Sequence, residues 1–512
     1  MSSNLKYSMA GCMCLPLPLL ANSVMDSHST WKAFPYTLLP GPTLPASVKP
    51  MVANNKRRYL RVGCLLLIAC ILFLSAFGWQ ARHRMIVDPL PETTPYELEN
   101  YDTGPLPSID AVPEVLKLLR APRRHPFQNL TRVAEIQRKA WALTPFSRAT
   151  CQFQEWHEMR YASLRNSGKN VFLAMNLHNN AQTFPTIISQ MPEVLKFLTP
   201  SSIHVSIYEN GSEDATQQFL VLLADILDNL GTSYTIISEG KNFTFDKGFN
   251  HRIEALAIAR NLALAPLYSG AIEKAMPGRK FDEVLFMNDI IYCAADVLEV
   301  LYQRREQGAY ESCSVDWDWG GRIVYDRWVL RAMSGDPWYE HDGLVKYFRD
   351  PRSLDEKIAP TPLPDRTEDR HRFENLMPLQ VFACWNGMAA FDSSVFIEHD
   401  IRFRMGLSDH HENGEIKQPT DIVSECYLTS VDMWKKGIGK ILLASRARVA
   451  YSVENYDTYR TDQRIGKPGA KNLEKLAEEE RIEWQSQPPA KVAMHDFTWW
   501  EMPERWAPWD EP

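Results

Sequence analysis

Between residues 171 and 289, apolar runs suited to buried strands alternate with segments of helical periodicity. The runs VFLAMNL (Val171–Leu177), IHVSIYEN (Ile203–Asn210) and EVLFMND (Glu283–Asp289) have the length and apolar content of strands buried on both faces. Helical periodicity fills Ala215–Leu230 and Arg252–Leu267, and a β-rich run, SYTIIS, lies between these two segments. Strands that alternate with helices form βαβ units, so the pattern predicts an α/β fold with a mainly parallel central sheet.

A second feature is the segment VGCLLLIACILFLSAFGWQA (Val62–Ala81), which carries no charged residue. As an α-helix it covers about 30 Å, the hydrocarbon thickness of a bilayer, although a buried core helix or a signal-peptide core is the alternative. Basic residues are more numerous before it than after it: Lys56, Arg57, Arg58 and Arg61 against Arg82 and Arg84. By the positive-inside rule we expect one membrane-spanning helix with a type II orientation.

This topology divides the chain into five parts. Residues 1–61 form a cytosolic tail, residues 62–81 the anchor, and residues 82–126, rich in Pro, Glu and Asp, a solvated stem. The alternative for the stem is an irregular N-terminal part of the domain itself, in which Glu114–Arg120 forms a short helix. Residues 127–465 hold the luminal α/β domain, and residues 466–512 form a Trp-rich extension. We expect its tryptophans to brace the tail against the domain, with stacking on sugar as the alternative: Trp499, Trp500, Trp506 and Trp509.

A luminal domain would meet an oxidising compartment, where cysteines pair and N-x-S/T sequons accept glycans. Five cysteines fall in this region, an odd number, so at least one stays unpaired: Cys151, Cys293, Cys313, Cys384 and Cys426. Three sequons begin at Asn129, Asn210 and Asn242. These short motifs arise often by chance and support the topology only weakly.

Composition excludes several other classes of function. The formal net charge of -7 leaves no basic footprint, so we expect no nucleic-acid partner. No GxGxxG follows a strand and no GxxxxGK[ST] is present, so the usual dinucleotide and P-loop phosphate sites are missing from the sequence. The spacing of Cys and His does not fit a structural zinc site.

The strand ends are the places where chemistry is expected, because ligands of open α/β sheets bind outside the carboxyl ends of the strands. Two predicted strands end in Glu209-Asn210 and Asn288-Asp289. A carboxylate at such a tip suits a divalent cation that neutralises a leaving diphosphate. Asp289 is therefore a candidate metal ligand, and an ordinary turn residue is the alternative.

Further candidates lie on both sides of this strand. Asp316 and Asp318 are two residues apart, so an extended backbone points both carboxylates to one face, unless they form a solvated acidic turn. Arg260 beside Asn261 suits phosphate recognition, with an ordinary salt bridge as the alternative. The segment Phe382–Met388 suits sugar stacking or core packing through Trp385.

Glu425 opens a helical stretch, where the helix dipole alone favours an acidic residue. Its position therefore needs no catalytic explanation, although a catalytic role remains open.

Taken in order, six segments resemble the fungal α-1,3-mannosyltransferase family that includes capsule-associated proteins: IYENGSEDAT, ARNLALAPL, VLFMNDIIYCAADVLEVL, DWDWGG…VYDRWV, CWNGMAAFD and SECYLTSVDMW. The resemblance covers residues 170–451. It implies a GT-A-like, nucleotide-sugar-binding luminal domain that uses GDP-mannose, with Mn²⁺ as the divalent cation, and adds mannose to a glycan or mannoside acceptor with retention. Together with the tail, anchor and stem, it implies a Golgi (or ER) membrane protein.

The resemblance also implies site residues. The nucleotide would lie near five residues: Glu209, Asn210, Arg260, Asn261 and Asn288. Asp289 would occupy the metal region, and the catalytic candidates are Asp316, Asp318, Asp392 and Glu425. No Asp-x-Asp directly follows the strand at 284–288, so either Asp289 acts with distant ligands or Asp316 and Asp318 form the metal site.

Two other functions remain open at this stage. A non-catalytic luminal accessory or glycan-binding protein could keep the fold without turnover, because function depends on the site and not on the fold. A glycosidase would need two carboxyl groups about 5 to 10 Å apart across a sugar site. Metal-dependent binding of GDP-mannose would distinguish the transferase from the accessory protein.

Overall fold

The computed structural model describes residues 116–120, 128–142, 144–238, 252–269, 272, 278–318, 322–349, 359–405, 423–458, 470–494 and 505–510. All of them belong to one compact unit, Asp88–Pro512. The predicted cytosolic tail and the predicted anchor at 62–81 lie outside the described residues. Within the described ranges, no helix is long and apolar enough to cross a membrane.

The helices of the described ranges vary in length from one turn to almost five turns. In chain order they are α1 Leu130–Ala142, α2 Glu155–Arg160, α3 Phe184–Leu198, α4 Thr216–Leu230, α5 Arg252–Tyr268, α6 Ala294–Gln307, α7 His341–Arg349, α8 Thr367–Glu374, α9 Ser394–Ile397, α10 Glu425–Lys435, α11 Val453–Thr458 and α12 Ala470–Glu479.

The strands are mostly short, and the longest follows α10. In chain order they are β1 Leu116–Arg120, β2 Val171–Leu177, β3 Ile203–Glu209, β4 Ser233–Ser238, β5 Glu283–Met287, β6 Glu311–Asp318, β7 Ile323–Val324, β8 Arg331–Ala332, β9 Leu379–Ala383, β10 Met388–Asp392, β11 Ile441–Ala450, β12 Lys491–Met494 and β13 Arg505–Pro508. The predicted strands and helices between residues 171 and 289 are confirmed to within two residues.

Among the described residues, one sheet contains eleven strands in the order β1-β4-β3-β2-β5-β10-β6-β11-β9-β8, with β7 paired to β6. Neighbouring strands from β4 to β5 are parallel, and β6 is parallel to β11. The prediction of an α/β fold with a mainly parallel central sheet is confirmed for these strands. Strand β10 differs, because it runs antiparallel between β5 and β6.

The sheet is buried on both faces because successive side chains of its central strands point to opposite sides. In β2, Phe172 and Ala174 join the apolar cluster that contains residues of α5 and α10, whereas Leu173 and Met175 join the cluster that contains α3, α4 and α6. Continuous apolar runs such as VFLAMNL are therefore needed in these strands, and this is the pattern on which the fold was predicted.

The folded unit is larger than the predicted domain at 127–465. Leu116–Arg120, which we placed in the stem, pairs antiparallel with β4 at the sheet edge. Downstream, β12 and β13 form a hairpin, and Trp509 packs edge-on against Phe382 at 6.3 Å. Trp509 thus braces the C-terminal segment as expected, whereas Trp506 is 50% exposed and Trp499 and Trp500 lie outside the described residues.

The cysteines pair in a way that the sequence left open. Cys151 bonds to Cys293, and Cys313 bonds to Cys384. Cys426 is a buried free thiol. The odd number of cysteines in the folded unit therefore leaves one of the five unpaired, as predicted.

A buried ion cluster also fixes the C-terminal segment to the domain. The Arg160 guanidinium lies 2.7 Å from the Glu299 carboxylate and 2.8 Å from the Glu480 carboxylate, and all three side chains are 1% exposed. Arg446 lies on the same carboxylates, 3.3 Å from Glu480. Burial alone would raise the pKa of Glu299, but the attraction of Arg160 outweighs it, so this pKa lies below its usual range.

Breaking this cluster is expected to destabilise the fold. The change Glu480→Gln should lower the free energy of unfolding by about 3 kcal/mol, because it leaves Arg160 with less compensating charge in a buried site. The matched control is Glu479→Gln, whose carboxylate is exposed and pairs with Lys475, and which should change stability by less than about 0.5 kcal/mol. Urea unfolding of the detergent-solubilised chain measures both, and equal effects would contradict the structural role of Glu480.

A buried histidine makes stability depend on pH. His204 in β3 lies between the hydroxyls of Ser233 and Thr235, at 3.0 and 3.1 Å, and stacks on Phe172. Burial lowers the pKa of His204 from 6.5 to about 3, with a smaller effect from Arg279. His204 of the unfolded chain therefore binds a proton below about pH 6.5, whereas His204 of the folded chain stays neutral until about pH 3. The free energy of unfolding falls as the pH is lowered between these two values.

Between pH 7 and pH 5, His204 should account for a loss of about 2 kcal/mol of unfolding free energy. The variant His204→Gln should therefore lose about 2 kcal/mol less than the wild type over this interval. Urea unfolding at the two pH values measures the difference. If the variant and the wild type have the same pH dependence, His204 takes up its proton in the folded protein as it does in the unfolded chain.

Candidate active site

Strand register brings the acidic candidates to one level at the carboxyl edge of the sheet. Ala389 of β10 pairs with Phe286 of β5 on one side and with Cys313 of β6 on the other. Asp289 lies three residues after Phe286, and Asp316 lies three residues after Cys313, so both lie at the same level along their strands. Val449 of β11 pairs with Asp316, so the residues after β11 reach the same edge.

Asp316 is a fully buried acidic residue of this edge. It is 0% exposed, one carboxylate oxygen accepts the Asp326 N–H at 3.2 Å, and the other oxygen, Oδ2, has no hydrogen-bond partner among the residues that the structure describes. Burial, followed by the charge of Asp326, raises the pKa of Asp316 well above its usual range. A buried oxygen without a partner is costly, and a ligand bound to it would remove this cost.

Two further carboxylates adjoin Asp316. Asp318 lies on the same face of β6 and accepts a hydrogen bond from the Asn455 amide at 2.6 Å. Burial raises the pKa of Asp326, Glu425 adds to the effect and Arg260 opposes it. We use the name carboxylate cluster for the acidic residues of this edge: Asp289, Asp316, Asp318, Asp326 and Glu425.

Arg260 is the counter-charge within the cluster. From α5, its Nε donates to Glu425 at 3.0 Å and its Nη1 donates to the Asn288 side chain at 2.7 Å. The guanidinium lies over the Trp385 ring, 4.5 Å from its centroid, and the indole N–H also donates to Asn288. Arg260 is 5% exposed, so its charge interacts with Glu425 inside the protein, and its hydrogen bond positions Asn288.

Asn288 and Asp289 connect this charge network to neighbouring strands. The Asn288 amide donates to the Tyr451 hydroxyl at 3.3 Å, and Asp289 accepts from the Asn180 amide at 2.9 Å. Asn180 lies in the loop after β2. The cluster is therefore joined to the loops that follow β2, β5 and β11.

Close backbone approach at Gly387 completes the local geometry. Its φ is +82°, and a Cβ atom there would lie 2.9 Å from the Val449 side chain and 3.1 Å from Ile290. Its carbonyl accepts the Asn288 N–H at 2.8 Å. Only glycine permits this left-handed turn and this proximity together.

The predicted nucleotide residues after β3 are buried at the same edge. Glu209 is 0% exposed, and its carboxylate accepts from the Ser212 N–H and from the Ser238 hydroxyl, so it organises the loop. Asn210 is also 0% exposed, yet neither polar atom of its side-chain amide has a hydrogen-bond partner within the described ranges. This burial also prevents Asn210 from serving as a glycan acceptor in the folded protein.

Two of the predicted residues are used elsewhere. Asn261 donates to and accepts from the Phe403 backbone, at 2.8 and 3.1 Å, so its amide joins α5 to that segment. Asp392 pairs across β10 with Glu283, the first residue of β5, because β10 runs antiparallel. Asp392 therefore lies at the opposite edge of the sheet, where it accepts from Ser394 and contacts Arg304, so the structure does not bring it together with the other catalytic candidates.

Trp385 is 0% exposed, so core packing beneath Arg260 is its role and sugar stacking is not. Sequence reasoning missed Asp326, Asn180 and Tyr451. Asp326 is contained in the motif VYDRWV, but it follows a strand of only two residues, which gives no apolar run to reveal a strand end. Asn180 and Tyr451 each follow a strand, and that position was the available signal.

The carboxylate cluster provides part of a binding site for a divalent cation. No group of three or more His, Cys, Asp or Glu side chains is set for metal binding within the described residues. Among the described residues, the cluster nevertheless has an Asp316 oxygen without a hydrogen-bond partner and two carboxyl groups with raised pKa values. Burial is the main cause for both, followed by the charge of Asp326 for Asp316 and by that of Glu425 for Asp326. Carboxylate oxygens are the ligands that Mg²⁺ and Mn²⁺ prefer, so charge and donor type fit a cation.

Three-dimensional comparison finds distant similarities to solved structures. The S. aureus TarS structure covering 1-349 is 10% identical with a TM-score of 0.30, and the match spans 61% of this chain and 70% of that one. The mannosyltransferase PcManGT from Pyrobaculum calidifontis, solved with GDP-Man and Mn²⁺, is 9% identical with a TM-score of 0.30, over 63% of this chain and 65% of that one.

Sequence comparison is more specific. The family described as Cryptococcal mannosyltransferase 1 matches residues 170–432, more than half of the chain. Alpha-1,3-mannosyltransferase CMT1 of Cryptococcus neoformans var. neoformans serotype D is 27% identical over 487 residues, which is 92% of this chain and 95% of that protein. The matched region contains the carboxylate cluster from Asp289 to Glu425. The chain therefore belongs to the cryptococcal mannosyltransferase 1 family of glycosyltransferases.

Proposed function

We propose that this chain transfers mannose from GDP-mannose to a glycan or mannoside acceptor, forming an α-1,3 linkage with retention. The observation that carries the proposal is the carboxylate cluster at the carboxyl edge of the sheet, in a chain of this family. Ligands of α/β sheets bind at this edge, and a GT-A-like nucleotide-sugar domain is the arrangement that we infer. The related CMT1 is named as an alpha-1,3-mannosyltransferase, which supports the sugar and the linkage.

The nucleotide would lie beside the loops after β2 and β3. Asn210 there has a buried side-chain amide that is unpaired in the part of the chain that the structure describes, and this amide supplies both a donor and an acceptor. Asn180 ties the β2 loop to Asp289, so a nucleotide at these loops would place its diphosphate near the cluster. Arg260 and Asn288 lie beneath this position and keep the cluster rigid through the contacts to Glu425 and Trp385.

Of the two metal sites left open by the sequence, we propose the one at Asp316 and Asp318, because Asp316 Oδ2 has no hydrogen-bond partner among the described residues. Asp289 and Asp318 each have one oxygen that accepts from an amide, that of Asn180 and that of Asn455 respectively. We propose that these two carboxylates hold Mn²⁺, with Asp326 contributing charge. A bound cation would neutralise charge developing on the leaving diphosphate.

Topology and location are proposed on separate grounds. The excess of basic residues before the segment at 62–81 supports a type II single-pass orientation. The two disulfides support an oxidising compartment for the folded unit. We therefore propose that the enzyme works in the Golgi or ER lumen, anchored by one helix.

The central experiment is a transfer assay on the detergent-solubilised chain, with GDP-mannose, GDP-glucose and UDP-glucose as donors and short α-mannosides as acceptors. We expect transfer from GDP-mannose, loss of transfer in EDTA, recovery with Mn²⁺, and an α-1,3 product by NMR. Transfer from another donor would overturn the choice of sugar. Metal-dependent binding of GDP-mannose without transfer would favour an accessory, glycan-binding role.

Asp316→Asn should separate function from stability. Removing a buried, repelled carboxylate should leave the thermal midpoint unchanged or higher, while kcat falls by about 100-fold or more because charge stabilisation is lost. Asp392→Asn, at the opposite edge, should keep kcat within about threefold of the wild type. Thermal unfolding and the transfer assay measure both variants. A fully active Asp316→Asn protein would contradict the assignment of the site.

A further inference from the structure

One large aromatic side chain at the rim of the carboxylate cluster has no role in the chemistry described so far. Tyr325 is 45% exposed, although it directly precedes Asp326. Its ring lies 4.8 Å from the ring of Tyr451, whose hydroxyl contacts Asn288. A partly exposed aromatic side chain adjacent to a polar site is suited to contact the C–H face of a sugar ring.

The backbone fixes Tyr325 relative to the cluster. Its N–H donates to the Asp316 carbonyl at 2.9 Å, and the next N–H, of Asp326, donates to the Asp316 carboxylate. Asp316 therefore positions the segment that carries the ring. A flexible surface tyrosine would have no such connection to the buried carboxylates.

Sheet order places Tyr325 away from the nucleotide loops. The loops after β2 and β3 lie on one side of β5 and β10, whereas β6 and β7 lie on the other side. The carboxyl end of β5, with Asn288 and Asp289, falls between them. A donor bound at the β2 and β3 loops would leave the side of Tyr325 for a second sugar.

We propose that the Tyr325 ring is the platform on which the acceptor sugar stacks, so that Tyr325 is a positioning residue for the acceptor. This inference rests on the proposed function for the identity of the acceptor as a mannoside. The nucleotide does not contact the ring. The ring face supplies the interaction, and the hydroxyl is dispensable.

The test is binding of α-mannobiose to the full-length, detergent-solubilised chain, titrated by NMR without donor, together with KM values for both substrates. Tyr325→Ala should weaken mannobiose binding about three- to tenfold, the effect of one aromatic contact, and leave the KM for GDP-mannose unchanged. Tyr325→Phe should bind mannobiose as the wild type does. Phe146→Ala is the matched control, since Phe146 is an exposed aromatic residue at 48% exposure outside the site, and it should change neither value.

Three results would overturn the inference: unchanged mannobiose binding in Tyr325→Ala, a rise in the GDP-mannose KM alone, or equal losses in the Phe and Ala variants. Absence of mannobiose binding by the wild type would overturn it as well. If Tyr325→Ala weakens mannobiose binding while the wild type transfers no mannose from GDP-mannose, the proposed donor is wrong and the acceptor platform stands. The two proposals therefore fail separately.

Discussion

The antiparallel strand β10 is the constraint on which the site depends. By pairing with β5 on one side and β6 on the other, it sets Asp289 and Asp316 at the same level, although they come from strands that do not touch. The same reversal sends Asp392 to the opposite edge beside Glu283. In a purely parallel sheet, the end of the segment CWNGMAAFD, with Asp392, would lie at the edge that carries the carboxylate cluster. Because β10 is antiparallel, the beginning of this segment, with Trp385 and Gly387, lies at that edge.

Burial of like charges at this edge has a cost that the rest of the fold must offset. Asp316 and Asp326 repel each other in a place with little solvent, and Arg260 supplies a compensating charge through Glu425 and Asn288. Such an arrangement is unfavourable for folding alone, since unpaired buried carboxylates destabilise. Well-packed regions elsewhere, including the apolar layers on both faces of the sheet and the cluster of Arg160, Glu299 and Glu480, provide the stability that permits it.

Sequence reasoning predicted the parallel core well and the edges poorly. Val171–Leu177 was assigned correctly because a strand buried on both faces is a continuous apolar run. Leu116–Arg120 was placed in the stem, because its Pro-rich surroundings suggested solvated chain and its strand character depends on pairing with β4. Asp316 and Asp318 were found from their alternation, but Asp326 was not, since its place in the cluster arises from a turn after β7. Burial, which separates Asp316 from Asp392, is a tertiary property that neither motif records.

The order of strands also suggests how one site handles two substrates. The loops after β2 and β3 and the rim with Tyr325 are separated by the width of β5 and β10. Asp289 lies between them at the end of β5, whereas Asp316 and Asp318 lie on β6 at the rim side. A sugar transferred across this gap would stay beside the carboxylates throughout, and both substrates would be held by loops anchored to the same rigid sheet. The Tyr325 N–H donates to the Asp316 backbone carbonyl and the Asp326 N–H donates to the Asp316 carboxylate, so a change of this carboxylate would alter the charge of the cluster and remove one of the two bonds that hold the rim. Under the two proposals, donor chemistry and acceptor placement would therefore be coupled at Asp316.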